Sequence, residues 1–252
     1  MRIAVCVKQV PSPDATIRTN QSATWAGDDA TTWTLNEPDA YALEEALRLK
    51  DRLGAEVVAV SAGPARVTAV LRECLARGAD RAVHAEADLP PGDAAGTAEA
   101  LAAALRNDPM DLVLTGLQSS DTGSGQVGVA LAELLGLPHA TIVVSLRVET
   151  GSLTVTRELE AGWFENVTLP LPALVTVQSG INQLRYATLK GIMAAKKKDL
   201  RVVAAPAVTP SPARVLKVYA PPRSRSTRML GGPPAEAARE LVRLLCDYER
   251  AI

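Results

Sequence analysis

The sequence predicts an α/β fold: a Rossmann-like parallel sheet flanked by helices, with an antiparallel addition and an extended C-terminal arm. Three observations predict it. Over the first 145 residues, short apolar runs recur between amphipathic stretches, as in strands covered on both faces and wound right-handed. After that point apolar residues alternate with polar ones and the turns are short, the pattern of antiparallel pairs. From residue 204 to 234 prolines and arginines accumulate around Gly231-Gly232, which suits an arm rather than a packed layer.

Arg2 to Val7 reads as a buried strand, and residues 16–35, with Trp25 and Trp33, as a polar excursion or hairpin. Asn36-Glu37-Pro38-Asp39 is a helix start, with Asn at the cap, Pro in the first turn and an acid three residues on. The helix puts Ala42, Ala46, Leu49 and Leu53 on one face and stops at Gly54. A strand over Glu56–Ser61, a helix over 65–77 and a short strand over Arg81–His84 follow. The pattern then predicts a helix over 93–106, a strand over Asp111–Thr115, a helix over 126–135 and a strand over Ala140–Val144. Leu146–Val148, Leu153–Leu159 and Phe164–Leu169 form the antiparallel addition, and Leu171–Val177 is a further apolar strand. A last helix over Pro234–Glu249 places Ala238, Leu241, Leu245 and Tyr248 on one face. That face needs a covering surface, on this chain or on a partner.

The 252 residues are 47% hydrophobic, enough for one large or two modest cores, and carry a net charge of −1. No global field therefore draws in nucleic acid, and the scarcity of aromatic residues argues against stacking on single strands. Cys6, Cys74 and Cys246 have no paired spacing, which argues against disulfides or a zinc site and fits a reducing compartment. Neither a leader peptide nor an apolar run of about 20 residues is visible. A soluble, cytoplasmic protein is expected.

Thr115 to Gly128 is a Gly/Ser loop between a strand's carboxyl end and a helix start, where open α/β sheets bind ligands. Glycines admit a phosphate, and the helix N-terminus offers free N–H groups. The loop is neither a Walker loop nor GxGxxG. It reads equally as a nucleotide cradle or as a ligand-free connection. No group looks catalytic. His84 and His139 stand apart from nucleophiles, Cys6 reads as a small buried hydrophobe, and Glu44-Glu45 as a solvated pair. Such a chain suits chemistry that belongs to a cofactor.

Residues 181–198 run Ile-Asn-Gln-Leu-Arg-Tyr-Ala-Thr-Leu-Lys-Gly-Ile-Met-Ala-Ala-Lys-Lys-Lys. The segment reads as a short turn with an apolar knob and a lysine patch. One buried Leu can anchor an interface; a helix end with a solvated tail is the plainer alternative. The segment resembles the recognition loop of electron transfer flavoprotein beta subunits, in which Arg-Tyr-Ala-Thr-Leu followed by Ile-Met and lysines is a signature. The resemblance covers residues 1–200 strongly and the arm weakly, and implies an adenine-nucleotide alpha-hydrolase-like fold. It divides the chain into a nucleotide-binding domain over 1–203, with the recognition loop at 182–198, and a partner-contacting arm and helix over 204–252.

The resemblance implies AMP as a structural ligand at Gly116, Gln118, Asp121, Thr122, Gly123, Ser124, Gly125, Gln126 and Val127. By position, Cys6, Asn36 and Ala62 would face the adenosine. Bifurcating members hold a second FAD in the same pocket, and there the loop has an acid and Thr where this chain has Gly123 and Ser124. The resemblance further implies a heterodimer whose alpha subunit holds most of the redox FAD, with no catalytic residues on this chain. Tyr186, Leu189, Ile192 and Met193 would dock flavoprotein dehydrogenases of the acyl-CoA dehydrogenase type, and a membrane quinone oxidoreductase would accept the electrons. Arg157 and Glu158, in the stretch before Leu171-Pro172-Ala173, would help build the subunit interface; an exposed cross-strand ion pair is the simpler reading. The chain departs from the family pattern at Pro13, Ala62, Ala161, Trp163, Lys190 and Ala194. A stand-alone adenine-nucleotide-binding regulator, homodimeric and without flavin, is the reading from another class. An ATP pyrophosphatase would need a Ser-Gly-Gly-type loop where Val7-Lys8-Gln9 stands.

Overall fold

The fold was analysed in a computed structural model, which describes residues 1–27, 31–207, 209, 214–219 and 229–249. Strand β1 (Arg2–Cys6) shows how the two cores arise. Successive side chains on a strand point to opposite faces. Ile3 and Val5 join one buried cluster with α1 (Glu37–Leu53) and α2 (Thr68–Arg77). Ala4 and Cys6 join a second with α3 (Ala94–Arg106) and α4 (Val127–Leu135). Helices on both faces require strands that are apolar throughout, which is the pattern in the sequence.

The main sheet has nine strands in the order β11-β5-β4-β1-β6-β10-β7-β8-β9. Its parallel part comprises β11 (Leu200–Ala204), β5 (Arg81–Glu86), β4 (Glu56–Gly63), β1, β6 (Leu112–Gly116), β10 (Ala173–Val177) and the first half of β7 (His139–Glu149). The second half of β7 pairs antiparallel with β8 (Ser152–Glu158), and β8 with β9 (Phe164–Pro170). The sequence suggested two strands over 140–148; one continuous strand serves both pairings. Ile142 lies at φ 57°, inside the register shift against β10, and the register against β8 shifts just after it, between Val143 and Ser145. That irregularity turns the strand from one partner to the other.

Two short strands, β2 (Gln9–Pro11) and β3 (Trp33–Leu35), pair antiparallel and bracket the excursion expected over 16–35. Two expectations need correction. Leu53 is exposed rather than on the buried face of α1, because Gly54 in the left-handed conformation ends the helix next to it. Strand β11 extends the sheet edge beside β5, unforeseen because Leu200–Ala204 carries only one or two of the alternations that mark a strand.

The chain divides into two compact units, Met1–Val218 and Tyr219–Ile252. In the second, α6 (Pro234–Leu244) continues into a wider turn over Leu245–Glu249, and none of the helix is buried. Leu241 and Val242 are exposed. Most of the arm expected over 204–234, and the Tyr248 side chain, lie outside the described residues. Among the described residues no helix is long and apolar enough to cross a membrane.

Leu43 lies at the centre of α1 and is fully buried. Leu43→Ala should lower the unfolding free energy by about 3 kcal/mol, read as a lower urea midpoint with unchanged slope.

Candidate functional site

The strand order reverses between β1 and β6. From β1 the chain moves outward to β4 and β5, and from β6 it builds the other side. In open α/β sheets the carboxyl ends at such a point diverge and leave a crevice. Here one carboxylate ties the two ends together. Asp39, in the first turn of α1, accepts the Lys8 N–H on Oδ2 at 2.8 Å and the Gly116 N–H on Oδ1 at 3.0 Å. Lys8 follows β1 and Gly116 ends β6. Burial pushes the Asp39 carboxyl up to about 6, against the pull of the two backbone N–H groups, Asn36 and the Lys8 ammonium. Only glycine fits at 116, since a Cβ there would overlap the Asp39 side chain and backbone.

Asn36 occupies the cap position of α1, as predicted, but its side chain does not cap the helix. Its Nδ2 donates to the Gln118 carbonyl at 3.0 Å and its Oδ1 accepts the Ser120 N–H at 3.1 Å. The start of α1 thus organises the Gly/Ser loop. Lys8 Nζ reaches across to the same loop, 2.7 Å from Asp121 Oδ1 and 3.2 Å from Ser119 Oγ. Ser119 and Thr122 share a hydroxyl hydrogen bond of 2.8 Å.

The crevice holds about 1120 Å³ of space, part of it open to solvent. Cys6, Asn36 and Ala62 line it from the strand ends and from α1. Gly116, Gln118, Asp121 and Thr122 line it from the start of the loop, and Ser124, Gly125, Gln126 and Val127 from its end. Gly123 does not line it. It turns the loop at φ 61° and donates its N–H to the Ser119 carbonyl at 2.8 Å. Gly128 lets α4 approach the sheet, because a Cβ would come within 2.5 Å of the Thr176 methyl and 2.9 Å of the Thr115 hydroxyl. Burial pushes the Cys6 thiol up to about 12, so it stays protonated and acts as a small apolar wall.

Several lining residues carried no sequence signal. Lys8 and Gln9 follow β1, Trp25 and Trp33 come from the excursion, and Arg66 and Asp93 begin helical segments. Arg66 lies over the Trp33 ring, 3.7 Å from its centroid, a cation–π contact. Its guanidinium donates to Gln9 Oε1 at 2.6 Å. Such a group joins residues far apart in the chain, so no spacing rule reveals it. His84 is buried, with Nε2 2.8 Å from the Gly63 carbonyl, while His139 is exposed. Among the described residues no hydrogen bond joins either ring to a nucleophilic side chain.

The segment after β10 is firmly seated. Arg185 donates to both Glu44 oxygens at 2.9–3.1 Å and to Asp51 at 2.9 Å. The Glu44 hydrogen bonds raise the Arg185 pKa above its ordinary value. Asn182 donates to the Tyr41 carbonyl at 3.1 Å and to Glu45 at 3.0 Å. Glu44 and Glu45 are therefore buried partners of this segment rather than a solvated pair. The expected turn contains a short helix, α5 (Leu189–Ala195), because Thr188 caps it by accepting the Gly191 N–H at 3.0 Å. A Cβ at Gly191 would strike the Ala76 carbonyl, so α5 packs closely on α2. Arg72 binds the Ala195 and Lys198 carbonyls at 2.7 and 2.9 Å.

Lys198 turns inward and caps α2 through the Leu75 and Ala79 carbonyls. Burial pushes its ammonium down, helped by Lys50 and opposed by Asp80. The patch expected over 196–198 is therefore smaller than the sequence suggests. Tyr186 and Leu189 remain 83% exposed, Met193 71% and Ile192 45%. Four apolar side chains stand in water on a segment held from behind.

Residues 24–208 match the model of the electron transfer flavoprotein domain. The chain is 34% identical, over the full length of both proteins, to the electron transfer flavoprotein subunit beta of Methylophilus methylotrophus. It is 37% identical to the subunit beta of Bacillus subtilis (strain 168), with 89% of this chain and 90% of the relative aligned. For the Homo sapiens subunit beta the identity is 38%, over 81% of each chain.

The chain belongs to the electron transfer flavoprotein beta-subunit family. Beta subunits of electron transfer flavoprotein are electron-transfer subunits rather than catalysts. The remaining residues singled out from the sequence, Arg157 and Glu158, end β8. Arg157 binds the Thr141 carbonyl and hydroxyl at 3.3 and 3.1 Å and Glu165 at 3.4 Å. Glu158 pairs in register with Phe164. Leu159, Trp163 and Phe164, at the hairpin tip, are exposed.

Asp39 yields a pH prediction. Its pKa lies above the unfolded value of 3.8, so the folded state holds an extra proton between about pH 4 and 6. Its contribution to stability is full below the unfolded pKa and is lost as pH rises through about 6. Asp39→Asn removes that dependence and one of the two backbone acceptors. The urea midpoint of the variant should lie below that of the native protein, and the gap should narrow from pH 4.5 to pH 7. A gap independent of pH contradicts the assignment.

Proposed function

We propose that this chain is the beta half of a heterodimeric electron transfer flavoprotein, holding AMP in the switch-point cleft as a structural ligand and docking flavoprotein dehydrogenases through Tyr186, Leu189, Ile192 and Met193. The carrying observation is convergence: of the twelve residues expected at the ligand, all but Gly123 line one cleft. The N-terminus of α4 opens into it without a side-chain cap, and suits a phosphate. Two lining residues also hold buried polar atoms that have no partner among the described residues, Trp33 Nε1 and Asp93 Oδ2. A bound group with donors and acceptors would satisfy both.

FAD, held mainly by the alpha subunit, supplies one- and two-electron transfer when bound. This chain's part is to position. The cleft stiffens the domain, the segment at 182–195 presents its apolar knob, and the flavin domain stays free to swing between the dehydrogenase and a membrane quinone oxidoreductase. Weak, small contacts suit such transient encounters. Arg157, Glu158 and the exposed aromatic tip beside them support an assignment of the hairpin to the subunit interface. Cytoplasmic location is part of the same proposal.

A second reading, a bifurcating-type subunit with another FAD in the cleft, draws on Trp25 and Trp33. They extend the lining beyond the loop, with flat aromatic surface of the kind an isoalloxazine ring stacks on.

Mass spectrometry of the nucleotide released on denaturation separates these readings. AMP in near one-to-one ratio is the expected result; FAD beyond one per heterodimer selects the second, and a nucleotide-free supernatant refutes both. Leu189→Ala should slow flavin reduction by the dehydrogenase roughly ten- to thirtyfold, as for a hot spot of about 1.4–2 kcal/mol. Chemical reduction should be unchanged. Equal enzyme-driven rates would contradict the docking role.

A further inference from the structure

Asp93 is one of two cleft residues, with Trp33, that hold a buried polar atom without a partner among the described residues, and it is the one that carries an acceptor. It caps α3, its Oδ1 accepting the Gly96 N–H at 2.9 Å. Its carbonyl accepts the Thr97 hydroxyl at 2.6 Å and the Thr97 N–H at 3.1 Å. The side chain is held in place by that cap and is 5% exposed. Oδ2 is nevertheless buried with no hydrogen-bond partner among the described residues. A buried carboxylate oxygen without a donor is costly. Most buried polar atoms have partners, so an orphan in the wall of a cleft marks where a ligand's donor belongs.

The charge of Asp93 limits what that donor can be. A phosphate would be repelled by it, whereas the free N–H groups at the start of α4 suit one. Lys8, the cation beside that loop, already pairs with Asp121. An uncharged O–H or N–H suits Oδ2, and a nucleoside offers two kinds, the ribose hydroxyls and an exocyclic amine. An acid that reads ribose hydroxyls is a recurrent solution in dinucleotide-binding sheets. We infer that Asp93 is a specificity-determining residue of the cleft: its free oxygen accepts a hydrogen bond from an uncharged donor on the nucleoside portion of the ligand and so orients the phosphate towards α4. This inference rests on the nucleotide reading above and deepens it.

The test is competition in the full chain, purified as the complex with its alpha subunit. The complex is equilibrated with AMP paired in turn with 2′-deoxy-AMP, 3′-deoxy-AMP and inosine monophosphate, and the retained nucleotides are quantified by mass spectrometry. The native protein should disfavour at least one analogue tenfold or more. A preference against a deoxy analogue identifies a ribose hydroxyl, and one against inosine monophosphate identifies the amine. Asp93→Asn turns the acceptor into a donor, and Asp93→Ser keeps a capping oxygen but deletes the second one. Both should reduce that discrimination to within twofold, with circular dichroism and co-elution with the partner unchanged. Variants that keep the native preference overturn the role of Asp93 while leaving the nucleotide reading intact, as does a native protein indifferent to all three analogues. A native protein that retains no nucleotide overturns both.

Discussion

A single buried carboxylate ties together the two strand ends at the carboxyl end of the β1–β6 ladder, at Lys8 and Gly116. A switch point opens a crevice in an open α/β fold, because the chain leaves its two central strands in opposite directions. Asp39 bridges it by accepting one backbone N–H from each side, at Lys8 and Gly116. Its cost is desolvation, visible as a carboxyl pushed up to about 6, offset in part by charge-assisted hydrogen bonds. The crevice persists because its floor is fixed. The loop above it keeps its shape because Asn36, one turn earlier, holds Gln118 and Ser120.

The same helix reaches the segment proposed to dock dehydrogenases. Asp39, Glu44 and Glu45 are three buried acids of α1, and each meets a designated set of donors. The first holds the cleft. The other two receive Arg185 and Asn182 and thereby seat residues 182–188. Helix α5 is then pinned on α2 by Arg72 and by the close approach of Gly191. An apolar surface presented on a rigid support would lose little conformational entropy on binding. The cleft and the segment proposed for docking thus both rest on α1, the first on its opening turn and the second on residues from Tyr41 to Asp51.

Much of this was legible in the sequence. The parallel core could be read because β1, β4, β6 and β10 are short apolar runs, covered on both faces. The Gly/Ser loop was recognisable from its place between a strand and a helix, and Thr115 to Gly128 does line the cleft over most of its length. What escaped notice depends on long-range partners. Glu44 and Glu45 look solvated until Arg185 and Asn182 arrive from 141 and 137 residues away. Arg66 over Trp33 and the orphaned oxygen of Asp93 likewise have no local pattern. Leu200–Ala204 hides as a strand because an edge position needs little apolar alternation, and α5 hides because one Thr cap suffices for so short a helix. The bend at Ile142, a β-branched residue at positive φ, runs against propensity altogether.

The amide exchange of Lys8 and Gly116 tests the central claim most directly. If Asp39 holds the switch point, both amides exchange only on global unfolding in the native protein. In Asp39→Asn, which can accept only one of the two N–H groups, at least one exchanges by local opening, and the nucleotide content falls with it. Unchanged protection at both amides together with full nucleotide retention in the variant would contradict the account.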